Sequence, residues 1–371
     1  MKNRRDRLIA VLVIMPSVIL LGIFVYWFIG RTFYISMTDW GKEAPLAVNP
    51  VIHFVGLQNY KELFTGILNG RFRQDLVNTF FFTVLFVSGS LGLGLLLAIL
   101  LDREPRGEGF FRTLFLFPMS LSFIVTGTIW RWLLAPRGGI NVLPKLFGLP
   151  PLGFEWTSSR TQIFSFNWQD LPRVTALVVA AVLAYLTWRA VRRGRPRRAI
   201  IAGLCAAGLV AWYVWGSQLV PPALPYPEIH GFNLAIVGII IAAIWQFSGY
   251  TMALYLAGLR GIPTEVREAA RIDGCNELQL YRRVALPMLK PITLSAVIIL
   301  GHISLKTFDL VFAMTGPDHA STDMPSVLMF VKTFRGNQFA EGAGIAVVLF
   351  ILVAMVVIPY LAWSLRERSS L

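Results

Sequence analysis

The chain has 371 residues, of which 56% are hydrophobic, 13% aromatic and only 15% charged, with a formal net charge of +14. Mean hydropathy is +0.63, which excludes an ordinary soluble domain of this size, because too little polar surface remains to cover one. Nor does the charge describe a nucleic-acid-binding face. Arg and Lys gather in short clusters beside apolar runs (Lys2–Arg7, Arg103–Arg112, Arg189–Arg198, Arg260–Lys290, and Arg366 with Arg368), the bias of cytoplasmic loops.

A membrane-crossing helix needs roughly 20 apolar residues. Eight segments qualify in chain order: 8–29, 78–101, 112–134, 171–191, 199–219, 233–256, 291–312 and 343–364. The first follows basic residues, as in a signal peptide, but it is long enough to span and no small-x-small cleavage site follows, so it is expected to be retained. Residues 30–77 form a longer loop with Trp40, Pro45, Pro50 and the run Phe54–Tyr60, and residues 135–170 a second with Gly138, Gly139, Pro144, Pro150 and Pro151. The span 171–191 carries Arg173 and Arg189 near its ends, where long side chains snorkel to the interface. The turn Arg192–Arg198 reads as a topology anchor. Placing the basic N-terminus in the cytoplasm puts 102–111, 192–198, 257–290 and the C-terminus there too, so every dense Arg cluster falls on one side. An odd number of spans breaks that agreement. The expected fold class is therefore all-α, a polytopic membrane protein of about eight helices with both termini cytoplasmic. Cys205 lies in an apolar run and Cys275 between spans, supporting neither a disulfide nor a metal site, and no catalytic constellation is present.

The charged segment from Glu268 to Pro287, EAARIDGCNELQLYRRVALP, is the most specific feature. Pro263 suits the first turn of a helix and Glu265 its positive end. The helix continues through Glu268, Ala269, Ala270 and Arg271, passes Asp273, and stops at Gly274, which supplies a left-handed turn. Asn276 and Gln279 have capping-box spacing, predicting a second short helix that Leu286 and Pro287 end. The expected product is a helix–turn–helix knob on the cytoplasmic side, with paired alanines for close approach and Arg267, Glu268 and Arg271 free to pair with another protein.

That layout resembles the EAA loop of ABC importer permeases. The likeness to their carbohydrate-uptake branch, the maltose- and glycerol-3-phosphate-type subunits, extends to Phe54–Tyr60, Asn78-Thr79, Arg112–Pro118, Trp130 with Gly139 and Asn141, Gly249–Pro291, Lys306–Asp309 and Thr315–Pro317. Val284 stands where the family usually has Ile, a mild change. Typical members have six spans, so the resemblance implies an N-terminal transmembrane helix over 1–30, permease core over 31–159, an inserted hairpin at 160–230, and core again over 231–371 with the coupling loop at 260–290. It implies a heteromeric importer in a bacterial or archaeal cytoplasmic membrane, in contact with its lipid. Expected partners are a second homologous permease, two ATPase subunits that hold the ATP and Mg, and an extracytoplasmic sugar-binding protein; a mono- or disaccharide such as glucose or an α-glucoside is the expected cargo. This chain itself needs no cofactor: its only Gly-Lys, Gly41-Lys42, is followed by Glu43, so it has no phosphate-binding loop and is not the ATPase.

Polar groups inside spans are expensive and hence candidates for a substrate path. Asn78, Trp245, Gln246, Tyr250, Lys306 and Asp309 are the leading ones, since a sugar needs hydrogen-bonding partners and aromatic faces. Lys306 and Asp309, three apart on one helical face, could instead neutralise one another. A proton-driven transporter would use His302, Lys306 and Asp309 as a relay and work without an ATPase, while a non-transporting scaffold would tolerate changes at Glu268 or Gly274.

Overall fold

The computed structural model describes residues 4–42, 51–216 and 222–368; Lys2, Pro45, Pro50 and positions 217–219 of the fifth expected span lie outside them. Among the described residues six helices are long and apolar enough to cross a membrane, and two bent helix pairs bring the number to eight if each is one span.

Helix α1 (4–36) runs through a π-helical stretch at Gly22–Trp27 and is longer than the expected 8–29. After the short α2 (Gln58–Thr65), α3 (Gly70–Asp102) extends 33 residues, about 50 Å at the α-helical rise. It begins well before the expected 78–101, and its extra first turns carry Arg71, Arg73, Gln74 and Asp75.

Two expected spans are not single helices. The segment 112–134 is α4 (Glu108–Ser120) and α5 (Phe123–Leu133), which meet at 100°. Leu121 and Ser122 are extended, and the Ser122 hydroxyl accepts from the Val125 N–H at 3.3 Å, capping the new helix. Pro118, in the last turn of α4, has already removed one backbone donor. Likewise 291–312 divides into α11 (Lys290–Leu305) and α12 (Asp309–Thr315), separated by Lys306–Phe308. Ser326 donates its hydroxyl to the Thr307 carbonyl in this break at 2.5 Å.

Between these lie the elements of segment 160–230, expected as an inserted hairpin: β1 (Gln162–Asn167), α6 (Leu171–Arg192), α7 (Pro196–Ala211) and β2 (Ile229–Asn233). The two strands pair antiparallel, Gln162 opposite Asn233 and Asn167 opposite Ile229, with an irregularity between Ile163 and Phe166. This small sheet adds to the all-α expectation and closes the neck of the α6–α7 hairpin. The neck is pinned to α3: fully buried Arg73 donates to the Glu228 carboxylate, the Tyr226 hydroxyl (3.2 Å) and the carbonyls of Leu63 and Gly66. His230 bridges Glu228 and Gln74.

The centre of the molecule is the crossing of α3 with α8 (Ile236–Arg260), whose Phe82, Phe86, Ile239, Ile240 and Ala243 are buried with Leu300, Leu310 and Met314. Close approach requires glycine at one point in particular: a Cβ on Gly249 would overlap the Phe115 carbonyl of α4. Beyond α8 come α9 (Thr264–Ile272) and α10 (Glu277–Met288), and the chain ends with α13 (325–335) and α14 (Phe339–Arg368).

Candidate functional site

The knob between α8 and α11 is built from local signals. Pro263 takes the extended position just before α9, one residue outside the first turn where it was expected, and Glu265 lies in that turn. At the other end Gly274 has φ +83°, the Cys275 N–H donates to the Ala270 carbonyl at 3.0 Å, and the Gly274 N–H to that of Arg271 at 3.0 Å. These are the paired bonds of a Schellman motif. Asn276 and Gln279 exchange side-chain and backbone bonds at 2.9 and 3.1 Å, the full capping box, and α10 follows. Leu286 and Pro287 lie in its last turn rather than stopping it; the stop is at Leu289, where α10 and α11 meet at 67°.

What fastens the knob lies far away in sequence. Asp102, the last residue of α3 and 3% exposed, accepts from the Arg267 guanidinium at 2.9 and 3.3 Å and from the Tyr281 hydroxyl at 2.8 Å. Arg267 also donates to the Leu259 carbonyl at 2.5 Å. One carboxylate thereby ties both arms of the knob to the bundle, above an apolar cluster of Leu101, Tyr255, Leu259, Tyr281, Ala285 and Leu289. Arg267 is consequently not free for another protein, contrary to expectation, and Arg271 pairs with Glu277 at 3.1 Å. The paired alanines also divide: Ala270 is buried, while Ala269 is exposed with Glu268, Arg271, Asp273 and Gly274. Ile272 is 86% and Leu278 75% exposed beside them, so the outer face of the knob is apolar rimmed by charge, the composition of a contact surface.

A second feature lies where the two broken spans converge. A cavity of about 740 Å³ is lined by Leu121, Ser122 and Phe123 from the α4–α5 bend, by Lys306, Thr307, Phe308 and Asp309 from the α11–α12 break, and by Gln246 and Phe247 of α8. Gln246 is buried, and its amide donates to the Leu121 carbonyl at 3.0 Å; its Oε1 has no partner among the described residues. Lys306 and Asp309 both line the cavity and are not within ion-pair distance of each other, so the neutralising pair does not form. The cavity is therefore lined by an ammonium, a carboxylate, two hydroxyl side chains and three phenyl rings, with the unpartnered Gln246 amide oxygen buried behind its wall, a set able to hydrogen-bond a polyol and cover its C–H faces.

Three of the six path candidates, Gln246, Lys306 and Asp309, are brought together here. The others are not. Asn78 is buried and satisfied, donating to the Asp323 carbonyl at 2.9 Å and accepting from Gln74 and Asn233. Trp245 packs edge-on against Trp130, and Tyr250 against the central core. Ser122 and Thr307, polar residues within expected spans, join them in the lining; the three phenylalanines were missed because hydropathy gives no sign of a break, and Asp102 was missed although it is an acid at the end of a span facing a basic loop.

A family model described as the binding-protein-dependent transport system inner membrane component matches residues 90–366. The chain belongs to this family. A probable ABC transporter permease protein of Pyrococcus horikoshii is 36% identical over 371 residues, covering all of both chains. The permease is also 29% identical to the xylose/arabinose import permease protein of Haloferax volcanii over 94% of this chain and 86% of that one. A crystal structure of a bacterial alginate ABC transporter, in complex with an alginate pentasaccharide-bound periplasmic protein, shares the fold: TM-score 0.59 at 18% identity, over 95% of this permease and 93% of that chain. The chain is thus an integral membrane permease, as its resemblance implied, and not an enzyme.

Proposed function

We propose that this permease forms the membrane path of an ATP-driven sugar importer and takes its drive through the α9–α10 knob. The observation that carries the reading is the cavity at Gln246, Lys306, Thr307 and Asp309, enclosed by two broken spans and joined to the knob through α8 and α11. Its donors, acceptors and phenyl faces suit a mono- or disaccharide such as glucose or an α-glucoside; the sugar names of the relatives support the class. The knob's exposed Ala269, Ile272 and Leu278, with Glu268, Arg271, Asp273 and Gly274 around them, form the surface on which an ATPase subunit docks. The assembly comprises a second permease, two ATPase subunits that bind ATP and Mg, and an extracytoplasmic sugar-binding protein. It resides in a bacterial or archaeal cytoplasmic membrane with both termini inside; this chain holds no cofactor of its own.

The test is to tag the chain, solubilise native membranes gently and identify what copurifies, then reconstitute the complex in liposomes. Recovery of an ATPase and a second permease, with sugar uptake dependent on ATP, supports the assignment. Recovery of the chain alone, moving sugar without ATP, overturns it.

A further inference from the structure

The inserted hairpin carries a concentration of one chemistry that the transport reading leaves unused. Between Leu171 and Gly216 there is no Asp, Glu or Lys, yet Arg189, Arg192, Arg193, Arg195, Arg197 and Arg198 crowd the turn between α6 and α7. All six are exposed, and among the described residues none forms an ion pair. Orientation within a membrane needs positive charge but is indifferent to which cation supplies it. A guanidinium-only cluster matches a more specific partner, since its planar fork meets phosphate oxygens in bidentate fashion where an ammonium is a point charge.

We propose that this tip is a binding site for the phosphate-bearing headgroups of anionic membrane lipids. Helix length fixes the depth. Arg173, near the outer end of α6, is neutralised by Asp170 at 3.4 Å. From Val174 to Trp188 the helix then rises only about 21 Å, against a hydrocarbon thickness of roughly 30 Å. With Arg173 at one boundary of the hydrocarbon, Arg192 lies about 28 Å away at the other and Arg189 about 24 Å away. The long Arg189 side chain snorkels the remaining distance, so both guanidiniums sit between acyl chains and headgroups, where a cation without a protein counter-charge draws one from the lipid. Trp188 holds the Arg192 guanidinium over its ring at 4.3 Å, with Tyr185 packed on Trp188 at 5.8 Å, a rigid shelf of interfacial aromatics beneath the cluster. The hairpin packs mainly on itself and joins the bundle through the β1–β2 neck, so lipid surrounds the tip. The proposal needs membrane insertion only and stands apart from the identity of the cargo.

The experiment places the full-length chain in vesicles of phosphatidylcholine, alone or mixed with phosphatidylglycerol, each with a trace of photoreactive lipid bearing the matching headgroup. Labelled peptides are then mapped. Phosphatidylglycerol should label residues 189–198 far more heavily than phosphatidylcholine does. Each basic residue at an anionic surface contributes about a fivefold change in affinity, so R192Q/R193Q/R197Q/R198Q should lower that label at least tenfold. The matching four-lysine variant, which keeps the charge that sets topology, should insert normally and still lose a measurable part of the label. Glycerol phosphate in the buffer should leave labelling unchanged, separating a lipid headgroup from a free phosphate. Equal labelling by the two headgroups, undiminished labelling of the glutamine variant, full labelling of the lysine variant, or competition by glycerol phosphate overturns the proposal. So does crosslinking of the tip to an ATPase subunit in the assembled complex.

Discussion

Replacing Asp102 with Asn tests what holds the knob in place. The substitution keeps the volume and one acceptor but removes the charge and puts an N–H₂ where Arg267 or Tyr281 now donates. Three hydrogen bonds end on this carboxylate, two from Arg267 and one from Tyr281. Breaking a buried charge pair costs about 3–5 kcal/mol, but Arg267 is 18% exposed and water recovers part of that, leaving about 2–3 kcal/mol for a charge-assisted contact of this kind. That is about a 30- to 150-fold rise in the population of an undocked knob, since each 1.4 kcal/mol is tenfold. Hydrogen exchange reads it directly: amides of 264–288 should lose protection by up to that factor, while the α3–α8 crossing keeps its own. In the reconstituted importer, uptake should fall with the chain still inserted and assembled. Unchanged protection over 264–288, or equal loss throughout α3 and α8, would refute the reasoning.

Gly274→Ala places a side chain at φ +83° where no atom lies within 4 Å, so its cost is backbone strain alone, about 1–2 kcal/mol; Gly274→Asp adds a charge to the docking face, and uptake measured beside ATP hydrolysis should show coupling lost in the order Asp, then Ala. Lys306→Met removes the cavity's cation and should lower uptake about tenfold or more, with copurification of partners undiminished; normal uptake would exclude Lys306 from the path. Gln246→Leu leaves the Leu121 carbonyl unsatisfied at the α4–α5 bend, costing about 1–3 kcal/mol and lowering the unfolding temperature as well as uptake. At the hairpin neck, burial holds the His230 imidazole below its ordinary 6.5 despite the neighbouring Glu228. Burial also raises Glu228, but the Arg73 guanidinium outweighs it and holds that carboxyl below its ordinary 4.5. Both shifts mean that the unfolded chain binds more protons, so their contribution to stability is full above pH 6.5 and declines on acidification, first through His230 and then, below 4.5, through Glu228. Unfolding temperature against pH should show that decline, and His230→Gln should flatten its upper part.

Interactions within a few residues were legible in the sequence. The Gly274 turn and the Asn276–Gln279 capping box close over three to five positions, so residue type and spacing suffice to place them. Hydropathy likewise located the apolar spans. It could not locate their interruptions, because Leu121 and Phe308 are as apolar as the helices they separate and only backbone conformation distinguishes them. Pairings between distant segments were also out of reach. Asn78 looked like a path residue until Asp323 and Asn233 arrived from elsewhere in the chain to satisfy it. Arg267 looked free until Asp102 claimed it, and Ala269 and Ala270 read alike until packing exposed one and buried the other. The strands at 162–167 and 229–233 are too short, and too far apart in the chain, to announce each other.

The two halves of the proposed mechanism meet through rigid elements. Gln246 lies about four turns along α8 from Arg260, where the knob begins. Lys306 follows directly on the last residue of α11, which leaves the knob at Lys290 and is a little over four turns long. Both helices issuing from the knob thus carry cavity residues at nearly the same height, and Tyr255 and Thr293 join them at 3.1 Å partway along. A displacement of the knob cannot be absorbed within these helices without breaking backbone hydrogen bonds, so it must appear where regular structure ends: at Lys306–Phe308 and, through the Gln246–Leu121 bond, at the α4–α5 bend. Those are the walls of the cavity. On the proposed function the breaks serve transport twice, supplying polar groups within the bundle and acting as the joints expected to yield when the knob is pulled.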